Sequence, residues 1–371
     1  MGRKPLAFFA VVRRQGGVLL ACVALCTLAL ALGISTFDVS GAGTSNGLGT
    51  FARSINTGGA IQGYYADNSN VAHGFVRSSS GAITSFSAAG AGTASGQGTV
   101  PKSLNAGGVS TGYYVDKSSV FHGFVRSSGG TITKFNAAGA GSGASQGTLP
   151  GSINLSGEIA GFYVDSAGVS HGFVRSSTGT LIAFDAPGAG RGKGQGTFTA
   201  FGDSLNDNGY IAGDYIDASG VAHGYIRAPG GAFQTFSVGQ GTAALGINLA
   251  GTFLGVYKDA RGANHGFVRS SGGTITKFNV IGAGTASGQG TLPQSINSTG
   301  LVVGYYINST GAAKGFVRFT TGAIRTYYIK GAGTASGQGT FAFCNNSEDA
   351  ITGAYVDKTG VAHGFLANPK Q

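Results

Sequence analysis

Seven copies of one pattern run along this chain, and the phase of the pattern is split between the two ends. It reads G-x-I-x-G-Y-Y-x-D-x-x-G-x-x-H-G-F-V-R, then G-x-I-T-x-F, then G-A-G-T-x-x-G-Q-G-T. Its histidines stand at His73, His122, His171, His223, His265 and His363, with Lys314 in the sixth of the seven places, at spacings of 49, 49, 52, 42, 49 and 49. The G-Y-Y-x-D element begins at Gly63, Gly112, Gly161, Gly213, Gly255, Gly304 and Gly353. The I-T-x-F element lies near Ile34, Ile83, Ile132, Leu181, Phe233, Ile275 and Ile324. A fixed period of this length marks a repeat architecture. The chain opens with the third element alone, Ile34 to Thr44, and closes at His363–Leu366 without one. The opening piece supplies what the last copy lacks, which fits a closed ring fastened by its N-terminal strand.

Each copy carries four short runs rich in Val, Ile, Tyr, Phe and Thr, in the first copy Ser54–Asn56, Ala60–Tyr65, His73–Arg77 and Ile83–Phe86. Turn residues separate them, and they read as strands. The turn after the second run starts with Asp and usually has Gly in fourth place, as in Asp217–Gly220, which suits a type I turn followed by a left-handed residue. Asn70 and Ser119 replace that Gly. No stretch beyond residue 33 shows helical apolar spacing. The expected fold is all-β: a seven-bladed β-propeller of four-stranded blades, the last closed by the N-terminal strand. The core has no Trp to draw on and depends on Phe and Tyr, with Phe75, Phe124, Phe173, Phe267, Phe316 and Phe365 as its first candidates.

Residues 1–33 read as a signal peptide. Arg3, Lys4, Arg13 and Arg14 form a basic leader, and Val18–Leu32 is an apolar run of 15 residues, shorter than the ~20 that span a bilayer. Residues 34–366 form one propeller domain and 367–371 a short tail. Removal of the leader takes Cys22 and Cys26 with it and leaves Cys344 alone, so the mature chain has no intramolecular disulfide. The expected location is extracytoplasmic: secreted, periplasmic or at the cell surface, with no membrane span after cleavage. The full chain carries a formal charge of +10 and the mature part +6, too mild for a nucleic-acid protein of this length.

Segments such as Ser295–Tyr305, with its I-N-x-x-G-x-x-x-G spacing, and His122-Gly123-Phe124-Val125 resemble the HAF-repeat family of probable extracellular bacterial proteins. Gly stands where that family has Ala in every copy that keeps its His. The resemblance covers nearly all of 34–366. It implies a secreted, propeller-like protein and carries no established catalytic residues.

The six histidines lack zinc-ligand spacing, and a residue that recurs once per blade is expected to do one structural job in each, tying adjacent strands. Neither a metal nor a cofactor is expected. The arginines at Arg77, Arg126, Arg175, Arg227, Arg269 and Arg318 form one more repeated set, read as solvated or hydroxyl-paired, with polyanion binding as the rival. The aspartates Asp67, Asp116, Asp165, Asp217, Asp259 and Asp357 read as turn formers. Gly43–Gly47 matches the G-x-S-x-G elbow in letters but not in strand–turn–helix context. Symmetry breaks in two places. The third-to-fourth connection looks long and carries Arg191, Lys193 and Asp203, and the fourth-to-fifth, Gly239–Gly246, has lost most of its loop. A long loop beside a short one would open a notch, which makes Arg191, Lys193 and Asp203 the candidate ligand-binding residues.

The expected function is non-catalytic binding or scaffolding at the bacterial surface, with a glycan or envelope component as partner. A carbohydrate-active enzyme on the same scaffold is one alternative; it would need paired carboxylates, and Glu158 and Glu348 are the only glutamates. A structural envelope or biofilm protein is the other.

Overall fold

Glycine, β-branched and aromatic residues in short alternating runs leave the backbone no route to helix, and the computed structural model, which describes residues 33–199 and 202–368, contains none among them. The signal peptide expected over 1–33 lies outside the described residues except for Gly33. The first strand is β1 (Gly33–Phe37). Six sets of four follow: β2 (Gly49–Ile55), β3 (Ile61–Ala66), β4 (Ala72–Arg77), β5 (Ile83–Phe86); β6 (Gly98–Leu104), β7 (Ser110–Val115), β8 (Phe121–Arg126), β9 (Ile132–Phe135); β10 (Gly147–Ile153), β11 (Ile159–Val164), β12 (Ser170–Arg175), β13 (Leu181–Phe184); β14 (Gly196–Thr199), β15 (Ile211–Ile216), β16 (Ala222–Arg227), β17 (Phe233–Phe236); β18 (Thr242–Ile247), β19 (Phe253–Lys258), β20 (Asn264–Arg269), β21 (Ile275–Phe278); and β22 (Gly290–Ile296), β23 (Val302–Ile307), β24 (Ala313–Arg318), β25 (Ile324–Tyr327). The last three strands are β26 (Gly339–Asn345), β27 (Ile351–Val356) and β28 (Ala362–Asn368). Within each set the strands pair antiparallel in chain order. β28 takes its fourth partner from the far end of the chain, with Ile34 opposite Ala367 and Phe37 opposite Gly364.

Neighbouring sets are joined at the start of the inner strand in six places, and among the described residues β18 makes no such bridge to β16. Gly49 bridges Ala362 in parallel, and Gly98 bridges Ala72. At this contact a side chain has no room: a Cβ on Gly49 would lie 2.1 Å from the Ala362 carbonyl oxygen, and its φ of +116° also excludes most residues. A second link runs through asparagine. The Asn56 side chain donates to the Asn105 carbonyl (3.1 Å), Asn105 to Asn154 (3.0 Å), Asn154 to Asn206 (3.3 Å), Asn206 to Asn248 (3.0 Å), Asn248 to Asn297 (3.1 Å), Asn297 to Asn346 (2.9 Å) and Asn346 back to Asn56 (2.9 Å). These seven amides close a cycle of hydrogen bonds. All seven side chains are buried, so each bond satisfies a polar group that would be costly left alone.

The core lies between sets. Phe75, Phe124, Phe173, Phe267, Phe316 and Phe365 are all fully buried, as expected, and Tyr225 holds the same place in the fourth set. Phe75, Phe124, Phe173, Tyr225, Phe267 and Phe316 each meet an outer-strand aromatic of the neighbouring set edge-on, for example Phe124 with Phe86 at 6.2 Å between centroids.

Three expectations need correction. The first run of each copy does not start at Ser54 but at Gly49, because Thr50 turns its hydroxyl to the Val39 N–H (3.0 Å) and so ties the Gly-rich connection to the strand. Ala367 and Asn368 are not tail: they complete β28, and Ala367 is fully buried. The third-to-fourth connection is not long. The N–H of Ala186 reaches Thr197 across 11 residues, the same span as Ala88 to Thr99. The three extra residues of that copy fall between the end of β14 at Thr199 and Asp203. The shortening of the next connection is real: Val238 bonds Thr242 across 4 residues.

Candidate functional site

The repeated histidines sit at the second position of β4, β8, β12, β16, β20 and β28. Each stacks on the tyrosine opposite it, such as Tyr65 on His73 at 5.0 Å, and holds the turn aspartate through Nε2, with 3.1 Å from His73 to Asp67 and from His122 to Asp116. The other ring nitrogen meets the residue after the outer strand, Ser87 for His73 and Asp185 for His171. The histidines therefore join strand, turn and outer edge through side chains, with the Ser87 and Ser237 hydroxyls among their partners. The aspartates do the turn work as well: Asp67 Oδ1 accepts the N–H groups of Ser69 and Val71. Partial burial alone would raise the Asp67 pKa, but the bonds from Val71, His73 and Ser69 outweigh it and hold it below its usual value. In the sixth set Lys314 and Asn308 replace histidine and aspartate together, and Asn308 keeps the turn bonds.

The arginines are neither free nor hydroxyl-paired. Arg126 lies over Phe86 (4.8 Å), Arg175 over Phe135 (4.7 Å), Arg227 over Phe184 (4.6 Å) and Arg318 over Phe278 (5.0 Å), each on the outer strand of the preceding set. This is cation–π packing across the interface between sets.

Arg191, Lys193 and Asp203 are separated. Arg191 and Lys193 are exposed on the connection before β14, where Arg191 borders a cavity with Asp165, His171 and Asp185. Asp203 stands on the inner side of the fourth set, accepts a hydrogen bond from the Ser295 hydroxyl, and lines a different cavity with Arg53 and Lys102. Burial pushes its carboxyl above the usual value, and the bond from Ser295 only partly offsets this.

The interface between the fourth and fifth sets departs from the others. Position one of the second strand is Ile, Ser or Val elsewhere but Phe253 here, and the first outer-strand residue is Ile or Leu elsewhere but Phe233 here. Phe253 packs on Phe236 at 5.2 Å and takes Arg269 at 5.3 Å, while Arg269 stands 5.6 Å from Phe236 and donates to Gln234 Oε1 at 3.4 Å. Beside them a cleft of about 370 Å³ opens, walled by Phe233, Phe253, Ile226 and Leu249 and rimmed by Tyr210, Asn208, Gln234 and Arg269. Tyr210 is 40 % exposed and Leu249 52 %. The cleft lies at the opposite end of the strands from the shortened connection, so it is not the notch that the sequence suggests.

No protein-family model matches the chain, and no curated protein matches it. Solved structures do. The lectin BP39L from Burkholderia pseudomallei superimposes with a TM-score of 0.52 at 12% identity, covering 83% of this chain and 95% of that one. The β-propeller domain of the Trilobed protease from Pyrococcus furiosus, described as having an open velcro topology, gives 0.50 at 11% over 85% and 95%. The WD40 domain of coronin from Toxoplasma gondii gives 0.50 at 10% over 92% and 87%. The chain has a β-propeller fold.

On this propeller, sequence reasoning missed the cleft. The signal was present: Phe233 and Phe253, on neighbouring copies, stand where other copies have Ile, Leu, Val or Ser, and Tyr210 stands where they have Ala60, Val109, Glu158, Thr252, Leu301 or Ala350. Of the two glutamates, Glu158 bonds Asn154 (2.9 Å) in the third set and Glu348 lies in the turn before β27.

Proposed function

We propose that this chain is an exported, non-catalytic binding protein of the HAF-repeat kind. It is a seven-bladed propeller of four-stranded blades whose last blade is completed by Gly33–Phe37, and its cleft between blades four and five binds a glycan or related envelope component. The pairing of β1 with β28 and the bond from Asn346 to Asn56 support the closed ring. The basic leader and apolar run at the N-terminus support export.

The observation that carries binding is the cleft itself. It combines flat aromatic faces with a few planar polar groups at the rim, the arrangement of a small-ligand site. Sugar rings present apolar C–H faces and edges of hydroxyls, which suit Tyr210 and Phe233 on one hand and Asn208, Gln234 and Arg269 on the other. That a lectin is among the fold neighbours agrees with this reading.

The test is a glycan array with the purified full-length protein, followed by titration of any hit. Saturable binding without product, weakened in Tyr210→Ala and Phe233→Ile, is expected. Absence of binding to any glycan, or binding that ignores both variants, overturns it. Release of product moves the protein to the enzyme class.

A further inference from the structure

One position on the inner strand differs in kind in all seven sets: Arg53, Lys102, Gly151, Asp203, Leu245, Gln294 and Phe343. Its surroundings do not. Five sets follow it with Ser, and in every set Asn comes three residues on. A structural task repeated seven times calls for the same residue each time, as the asparagines show. A position released from that task, pointing into one shared space, is where the copies can build a site that no single copy contains.

Five of these residues, Arg53, Lys102, Asp203, Gln294 and Phe343, line one cavity of about 170 Å³ together with Gly202 and Cys344. We infer that this cavity binds a small carboxylate, with Arg53 and Lys102 as its principal contacts. Arg53 lies over the Phe343 ring, its Cζ 4.3 Å from the centroid, and donates to the Tyr64 hydroxyl at 3.3 Å. These two contacts hold the guanidinium in place, and a guanidinium suits a planar, two-oxygen acceptor. Lys102 stands over Tyr113 at 5.2 Å. The charged groups on the wall are two cations and one carboxyl, and that carboxyl is driven toward its neutral form by burial. Burial first, and the charge of Arg53 second, push the Lys102 ammonium down to about 7. An anion placed between Arg53 and Lys102 offsets the repulsion between them and favours the charged ammonium. The cavity shares no residue with the cleft between the fourth and fifth sets, so the inference stands apart from the proposed glycan binding.

The experiment is titration calorimetry and thermal unfolding of the full-length protein with acetate, succinate and, for comparison, inorganic phosphate. Saturable binding of a carboxylate is expected, at least about tenfold weaker in Arg53→Gln and in Lys102→Gln, as loss of a charge-assisted hydrogen bond implies. Gln294→Leu keeps both cations and narrows the polar wall. It serves where a charge variant fails to fold, and it too weakens binding. Ile281→Ser, at an exposed position that lines neither cavity, leaves carboxylate binding unchanged. No saturable response to either carboxylate, phosphate binding tighter than carboxylate, or binding by all three cavity variants as tight as the parent protein's overturns the inference.

Discussion

The side-chain amide of Asn346 donates to the carbonyl of Asn56 at 2.9 Å, across 290 residues of sequence. It is the same bond that Asn56 makes to Asn105 across 49, so the last copy meets the first as any copy meets the next. Six of these bonds hold neighbours in sequence together. The seventh acts on the two ends of the repeat array, whose approach costs the most chain entropy.

Asn346→Ala therefore leaves the Asn56 carbonyl without its amide and removes the acceptor of the N–H groups of Glu348 and Ala350. A loss of about 1–3 kcal/mol is expected, read from urea unfolding. Asn346→Asp restores the turn bonds but not the donor and recovers part of the loss. An unchanged midpoint in Asn346→Ala would show that the cycle carries no stability.

Deleting residues 33–37 strips β28 of its outer partner over the whole register from Gly33–Asn368 to Phe37–Gly364. It also removes the Phe37 ring, which packs on Phe75 at 6.0 Å and beneath Arg77 at 5.1 Å. An unpaired strand edge templates association. The truncated chain is expected to unfold at lower temperature and to form concentration-dependent oligomers by light scattering. A stable monomer would refute the role given to this strand.

Much of the fold was legible because it rests on local chemistry repeated seven times. Asp67 as a turn former and His73 as a tie between strands are each readable within one copy, whereas their bond to each other needs the register that the strands impose. The asparagine cycle was harder. Asn56, Asn105 and their counterparts recur as plainly as the histidines, but each also bonds its own turn, as Asn56 does with the Ala60 N–H, and the sequence does not say where the second hydrogen-bonding group goes. The three-residue insertion was misplaced for a related reason: a histidine-to-histidine spacing of 52 sums a whole copy and cannot show which segment grew. Asp203 was thus read with Arg191 and Lys193 when it belongs with Arg53 and Lys102. The cleft was written in Phe233 and Phe253, but bulk at a core position reads as tighter packing until the neighbouring set is in view.

Acid should expose the turn carboxylates. Partial burial alone would raise the Asp357 pKa, but bonds from the Thr359 hydroxyl, the Val361 and Thr359 N–H groups and His363 outweigh it and hold it at about 2, below the ordinary 3.8. A carboxyl depressed in the folded state contributes stability that is present above about pH 4 and is lost as the pH falls through about 2. Urea midpoints at intervals across that window should fall less in Asp357→Asn than in the parent protein. Equal slopes would mean that the turn bonds do not favour the ionised form.

Tyr225 replaces the phenylalanine of the other six sets, is fully buried, and donates its hydroxyl to the Phe198 carbonyl at 3.0 Å. Burial, and secondarily the nearby Asp214 carboxylate, pushes its ionisation well above the ordinary tyrosine value. The ring fills the same space that Phe173 or Phe267 fills elsewhere, so Tyr225→Phe forfeits one neutral hydrogen bond and no packing. It should cost about 1 kcal/mol, whereas Phe173→Ala, which empties a ring-sized volume, should cost about 3–5 kcal/mol. In an alkaline ultraviolet titration, Tyr225 should ionise only together with global unfolding, and Tyr225→Phe should remove one tyrosine from that late cooperative step. A variant that instead loses an early, independent titration would place the hydroxyl in solvent and contradict the bond to Phe198.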